Sequence, residues 1–313
     1  MKTVLQLVND SFWSWYEDRA MRMGAALAYY SVFALAPLLV MVISIAGLVF
    51  GEQKAREYAL GQLKSHVPES GMSAVQGMIE HVRHNPQSNK IATIVAAVTM
   101  LVGASGFFAE LQDALNNIWR VSSPGRGIWS FVKNRLLTFA MILVIAFLLL
   151  LALVLTTGLN LANRILPGDL AHASLPLLHA ANSGISFIVV TVLFAMIFKI
   201  LPDVTIHWRD VWLGAAVTAV LFTVGKFLIG LYLGRTAISS AYGAAASLVV
   251  ILTWIYYSAQ ILLFGAEFTR VYAIKRGRHV FPRKKAVMLS DGELARQGLS
   301  SRPGLATMPQ SKQ

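Results

Sequence analysis

Hydrophobic positions along this chain gather into long runs, not into the short alternating stripes of a soluble fold. The runs are Gly24–Phe50, Ile91–Phe108, Leu136–Leu161, Ile185–Leu201, Val211–Leu233 and Ala244–Phe264. Crossing about 30 Å of hydrocarbon takes a helix of about 20 apolar residues, with shorter spans tolerated. The pattern therefore predicts an all-α fold: a polytopic membrane helical bundle with six transmembrane helices. Pro37 should kink the first span by removing a backbone hydrogen bond. Pro202 should stop the fourth. The first run spans 27 residues, against about 7–15 for a secretory signal core, so it is expected to remain in the membrane.

Polar stretches divide the rest. Residues 1–23 read as an amphipathic helix at the interface, with Val4, Leu7, Val8, Phe12, Trp15 and Tyr16 at helical spacing. Residues 24–272 form the six-span domain. Within it, 52–90 is a polar insert with two apolar stripes separated near Pro68, expected as a helical hairpin outside the bilayer. The second span is expected to continue as an amphipathic helix through Trp119. Residues 273–313 are basic, and from Val280 they are rich in Ser, Pro, Gly, Gln and Arg, the composition of a disordered tail.

Composition supports the membrane assignment. Hydrophobic residues make up 56% and charged residues 13%, against about 25% charged in soluble domains. With no cysteine, disulfides and thiolate chemistry are excluded. The net charge of +12 is unevenly placed. With both termini inside, the inner segments hold 19 Lys and Arg and the outer ones 7. That bias favours cytoplasmic termini. The cluster Lys275–Lys285 then faces anionic inner-leaflet lipid, at about 1 kcal/mol per nearby charge. Membrane lipids are thus the expected partners and nucleic acid is not; a homo-oligomer is left open.

Candidate chemistry is sparse. Seven histidines lie in loops or tails, and no phosphate loop or nucleophile elbow is present. His81 and His84 share a helix face, which reads as a solvated surface ahead of a metal site. No catalytic residue, metal or cofactor is expected. Lys226 is the sharpest residue, being ionisable inside a span. Thr223 and Gly230 share its face. Lys226 either snorkels outward along its own stem or meets an anion in a cavity. Gln260 lies seven residues before Glu267 on one helix side, and Tyr29, Tyr30, Tyr256 and Tyr257 add hydroxyls. The candidate substrate-binding set is Lys226, Thr223, Gln260, Tyr256 and Tyr257. At the inner rim, Glu110, Asp113, Asp203, Glu267 and Arg270, with Asp210, Arg22, Arg120 and Arg209 nearby, read as an ion-pair collar or a gate.

Five stretches in order carry a family resemblance: ALAYYSVFALAPLL (Ala26–Leu39), LQDALNNIWRV (Leu111–Val121), KILPD (Lys199–Asp203), the run from Trp208 to Ala215, and WIYYSAQILLFGAEFTR (Trp254–Arg270). Together they resemble the YihY/BrkB family of bacterial inner-membrane proteins, once mislabelled ribonuclease BN. The resemblance implies a six-helix domain in the inner membrane and leaves the activity open, transport being the usual suggestion. The expected function is a transporter or permease for a lipid, envelope precursor or other amphiphilic anionic solute. The alternative is a scaffold for envelope or division machinery. A membrane enzyme lacks its constellation.

The topology is directly testable. A cytoplasm-active reporter fused at Gln313 should be active, and a periplasm-active one should work within Ser70–Ser73. The opposite pattern reverses the orientation, and disagreement between the two ends removes the six-span count.

Overall fold

The computed structural model describes residues 2–51, 106–122, 168–235 and 246–278. It also describes isolated positions between 53 and 72 and between 140 and 152, together with 281–283, 286–290 and 292–293. The second and third spans, the polar insert and the end of the tail lie almost wholly outside the described residues.

Helix α1 (Lys2–Glu17) turns sharply into α2 (Ala20–Phe50). The corner is Asp18-Arg19, where Arg19 adopts a left-handed backbone at φ 53°. A helical run at 106–118 ends at Arg120, also left-handed at φ 55°, and passes into strand β1 (Val121–Ser122). The amphipathic continuation expected here thus stops just short of Trp119. Helix α3 (Gly168–Ile200) precedes the short strand β2 (Val204–Thr205). Its first half covers residues where the hydrophobic pattern predicts a loop. Helices α4 (Trp208–Arg235) and α5 (Ala246–Lys275) follow, then β3 (Phe281–Pro282) and β4 (Val287–Met288).

Among the described residues, three helices are long and apolar enough to cross a membrane: Ser183–Ile200, Trp208–Leu231 and Leu248–Lys275. They correspond to the fourth, fifth and sixth expected spans. Helix α5 is the hub, packing against α4, α2 and α1, while α3 packs on α4. The main core joins Leu27, Leu111, Leu115 and Ile118 to Phe194, Phe198, Leu201, Ala215 and Leu263. The other side of α4 exposes Trp208, Trp212, Val220, Val224, Phe227, Leu228 and Leu231. An apolar strip of that length suits contact with hydrocarbon or with another apolar helix.

The α4–α5 crossing depends on a reciprocal pair. Thr218 donates its hydroxyl to the Gly214 carbonyl, and Thr269 donates to the Gly265 carbonyl, each at 2.7 Å. Each threonine also lies over the other helix's glycine, so a Cβ on Gly214 would strike Thr269 and one on Gly265 would strike Thr218. The hydroxyls are satisfied within their own helices, which lets the two backbones approach without stranding a polar atom.

The tail departs from expectation. β4 pairs antiparallel with β1, and β3 pairs antiparallel with β2. Between them, Arg283 donates from its backbone to Asp203 O (2.9 Å) and from its guanidinium to Lys199 O (2.9 Å) and Ile200 O (3.2 Å). Leu289 N–H donates to Arg120 O at 3.0 Å. Composition argues for disorder from Val280, yet this stretch of chain is a strap. The reason is backbone pairing plus one arginine at a helix C-terminus, where carbonyls lack partners.

The crossing yields a test. Gly265→Val should destabilise the protein in detergent by about 1–3 kcal/mol, because the inserted methyls force Thr218 and the helix apart. Gly230 has open space where a Cβ would sit. Gly230→Ala should therefore be neutral or slightly stabilising through helix propensity. Equal thermal unfolding of the two variants would sink this account of the packing.

Candidate functional site

Four charged side chains meet in the interior at one end of the bundle. Asp18 comes from the α1–α2 corner, Arg120 from the left-handed turn after the 106–118 helix, and Glu267 and Arg270 from α5. Their exposures are 1%, 7%, 0% and 2%. Arg270 Nη1 donates to Asp18 Oδ2 at 2.9 Å and to Glu267 Oε2 at 3.1 Å. Arg120 Nη2 lies 3.6 Å from Asp18 Oδ1, too long for a good hydrogen bond. Burial pushes the Arg120 guanidinium below its ordinary value, and the adjacent Arg270 charge pushes the same way.

The quartet balances in formal charge but not in hydrogen bonds. Among the described residues, Asp18 Oδ1, Glu267 Oε1, Arg120 Nε and Nη1, and Arg270 Nη2 are buried without a hydrogen-bond partner. Removing a charge from water costs several kcal/mol, which only good geometry and further hydrogen bonds offset. Seven residues before Glu267, the Gln260 amide is in the same condition at both atoms. It fills the space left by Gly24 of α2.

Two polar hubs flank the quartet. Asp203 Oδ2 accepts from Gln112 Nε2 (3.1 Å) and Asn116 Nδ2 (3.2 Å), while Asn116 Oδ1 accepts from the Asp203 N–H (2.8 Å). Asp210, in the first turn of α4 where a negative charge is favoured, accepts from Arg278 at 2.7 Å. Outside, Lys275 pairs with Asp10 at 2.5 Å and ties α1 to the end of α5.

The structure thus brings Glu267 and Arg270 of the predicted collar together. It places Asp203 one hub away, held by amides. Glu110 is half-buried and Asp113 exposed on the 106–118 helix, outside the quartet. Sequence reasoning misses Asp18, Gln112 and Asn116 as site residues. Asp18 reads as part of the polar face of an interfacial helix, and its one signal is an acid-base pair breaking the α1 pattern.

The predicted substrate set is more scattered. On α4, Thr223 is exposed and donates its hydroxyl to Ala219 O at 2.7 Å, and Lys226 is half-buried. Tyr257 lies against Gly225, next to Lys226 in the chain. Tyr256 packs in a separate cluster with Ala28, Ile251 and Ile255. Gln260 faces α2. Among the described residues, no group of three or more His, Asp or Glu is placed to hold a metal.

Glu110 allows a pH test. Burial raises its carboxyl above the ordinary value, and the Asp113 charge adds to the effect. A raised folded-state value means that ionised Glu110 opposes folding, and the penalty disappears as pH falls and the group protonates. Glu110→Gln should therefore raise the unfolding temperature at neutral pH. The gain should shrink in acid, and a gain constant with pH would refute the assignment.

Comparison with known proteins fits this architecture. The family model described as Virulence factor BrkB matches residues 12–288, a range that includes Asp18, the quartet and the strap. A UPF0761 membrane protein of Pseudomonas aeruginosa (strain LESB58) is 28% identical over 261 residues, 80% of this chain and 58% of that protein. One from Azotobacter vinelandii is 29% identical over 257 residues, 80% and 59% respectively. One from Tolumonas auensis is 26% identical over 266 residues, 82% of each chain. The chain therefore spans under three fifths of the length of the first two relatives. No solved structure matches. With nearly its whole helical core inside the matched range, the chain belongs to the BrkB family of membrane proteins.

Proposed function

We propose that the protein is a transporter of an amphiphilic or anionic solute, a lipid or envelope precursor, and that the buried quartet is its gate at the cytoplasmic face. One observation carries this reading. Four charges from three separate chain segments are enclosed together while five of their polar atoms stay unpartnered. A static clamp would be at least as stable with apolar residues of similar volume. Ionisable groups at membrane-spanning helices mark solute and ion pathways by default. A gate needs groups that can exchange partners, and unsatisfied atoms beside alternative partners provide them. The Gln260 amide extends this polar side of α5 by about 10 Å, at 1.5 Å per residue.

The alternative, a membrane scaffold, has its own support in α1. Val4, Leu5, Val8, Phe12, Trp13 and Tyr16 are exposed together on a helix whose Ser11 and Ser14 are buried. That face suits the bilayer interface as well as it suits a protein partner, so it does not displace the transport reading.

Lipid and metabolite profiling of a deletion strain identifies the solute class, and flux of that class into proteoliposomes tests the reading. The wild-type protein should move it. Combining Asp18→Asn, Arg120→Gln, Glu267→Gln and Arg270→Gln in one variant should reduce flux at least tenfold with the fold retained. Lys226→Met distinguishes two roles for that lysine: loss of flux means anion binding, and full flux with higher stability means snorkelling. Unchanged profiles together with full complementation by the quartet variant would overturn the proposal.

A further inference from the structure

Within the quartet, the two acids are arranged unlike an ordinary pair of salt-bridged carboxylates. Asp18 Oδ2 and Glu267 Oε2 converge on the same nitrogen, Arg270 Nη1, at 2.9 and 3.1 Å. Their other oxygens, Asp18 Oδ1 and Glu267 Oε1, are buried and receive no hydrogen bond among the described residues; Arg120 Nη2 stands 3.6 Å from Asp18 Oδ1. Both side chains are fully enclosed. An ionised carboxylate only accepts hydrogen bonds, so two ionised groups gathered on one guanidinium nitrogen repel each other and bring no donor of their own. One proton held by the pair removes that repulsion and adds a donor.

We propose that Asp18 and Glu267 form a binding site for a single proton, shared between the two carboxyl groups and exchanged with bulk water. Among the described residues, the charged groups around it are Arg270 on α5, Arg120 beside Asp18, and Glu17 acting on Arg120 from the end of α1. With the proton bound, the quartet carries one net positive charge; without it, the net charge is zero. Only an O–H bond forms and breaks, and the proton comes from and returns to water.

The consequence for the gate rests on the transport reading. Loss of the proton leaves two negative charges side by side on one guanidinium nitrogen. It drives the Asp18 corner away from α5, and with it the junction of α1 and α2. Proton binding therefore closes this end of the bundle, and proton release loosens it. Protons are the coupling ion that such a carrier would use.

The test reads the proton, not transport, so it fails or succeeds independently of that reading. Infrared spectra of the purified full-length protein in detergent at neutral pH should show the carbonyl stretch of a protonated carboxyl, shifting in D2O. Asp18→Asn and Glu267→Gln should each abolish the band, because either amide leaves the remaining acid alone with its arginines. Glu110→Gln should keep it. Carboxyl-labelled 13C-glutamate or 13C-aspartate in the wild-type chain should each shift the band, which tests sharing without any mutation. Absence of the band in the wild type, its persistence in Asp18→Asn or Glu267→Gln, or a shift with only one label would overturn the proposal.

Discussion

Four buried charges place a demand on everything around them, because water must be excluded and the freed hydrogen-bonding capacity must be met inside the protein. The chain meets that demand only in part, by convergence. The α1–α2 corner delivers Asp18, the turn after the 106–118 helix delivers Arg120, and α5 supplies both remaining charges. Both delivering turns hold a non-glycine residue in the left-handed region, Arg19 at φ 53° and Arg120 at φ 55°. Such conformations cost energy and persist when surrounding contacts enforce them. At Arg120 one such contact is visible, the Leu289 N–H bonded to its carbonyl. The strap thus acts on the quartet through the backbone of one residue.

This gives the tail a structural meaning that its composition hid. A stretch rich in Ser, Pro, Gly and Arg lacks an apolar stripe, so periodicity finds nothing in it. The strap uses other means: two short backbone pairings and the Arg283 guanidinium on the carbonyls that end α3. Neither leaves a hydrophobic signature. By contrast the last three spans were legible, because about 20 apolar residues in a row admit few other solutions. The exposed face of α4 and the small residues at its crossing with α5 follow from the same runs, although the reciprocal fit of Gly214 with Thr269 and Gly265 with Thr218 does not.

The site was legible only where its geometry is local. Glu267 and Arg270 are three residues apart on a helix, a spacing that places them together. Asp18 meets Arg270 across 252 residues, and Asp203 meets Gln112 across 91. No pattern within a window reports such pairings. Reading acids near helix ends as a collar names Glu267 and Arg270 but does not separate Asp203, held by amides, from Glu267, held by arginine. Glu110 and Asp113 were grouped with them by depth alone, and the helix they share turns them elsewhere.

The two ends of α5 differ in a way that bears on mechanism. Toward its start, Ile251, Ile255 and Ala259 are buried among apolar neighbours, and Thr253 and Ser258 return their hydroxyls to their own helix. That half has little to rearrange. From Gln260 onward, the side toward α1 and α2 carries the Gln260 amide and then Glu267 Oε1 and Arg270 Nη2, none of which has a hydrogen-bond partner among the described residues. The opposite side, toward α4, is locked by Thr269 on Gly214 and Thr218 on Gly265. Helix α5 is therefore fixed on one side and under-bonded on the other. For the proposed gate, this asymmetry makes α1 and α2 the elements that would move against the α4–α5 pair when those atoms change partners.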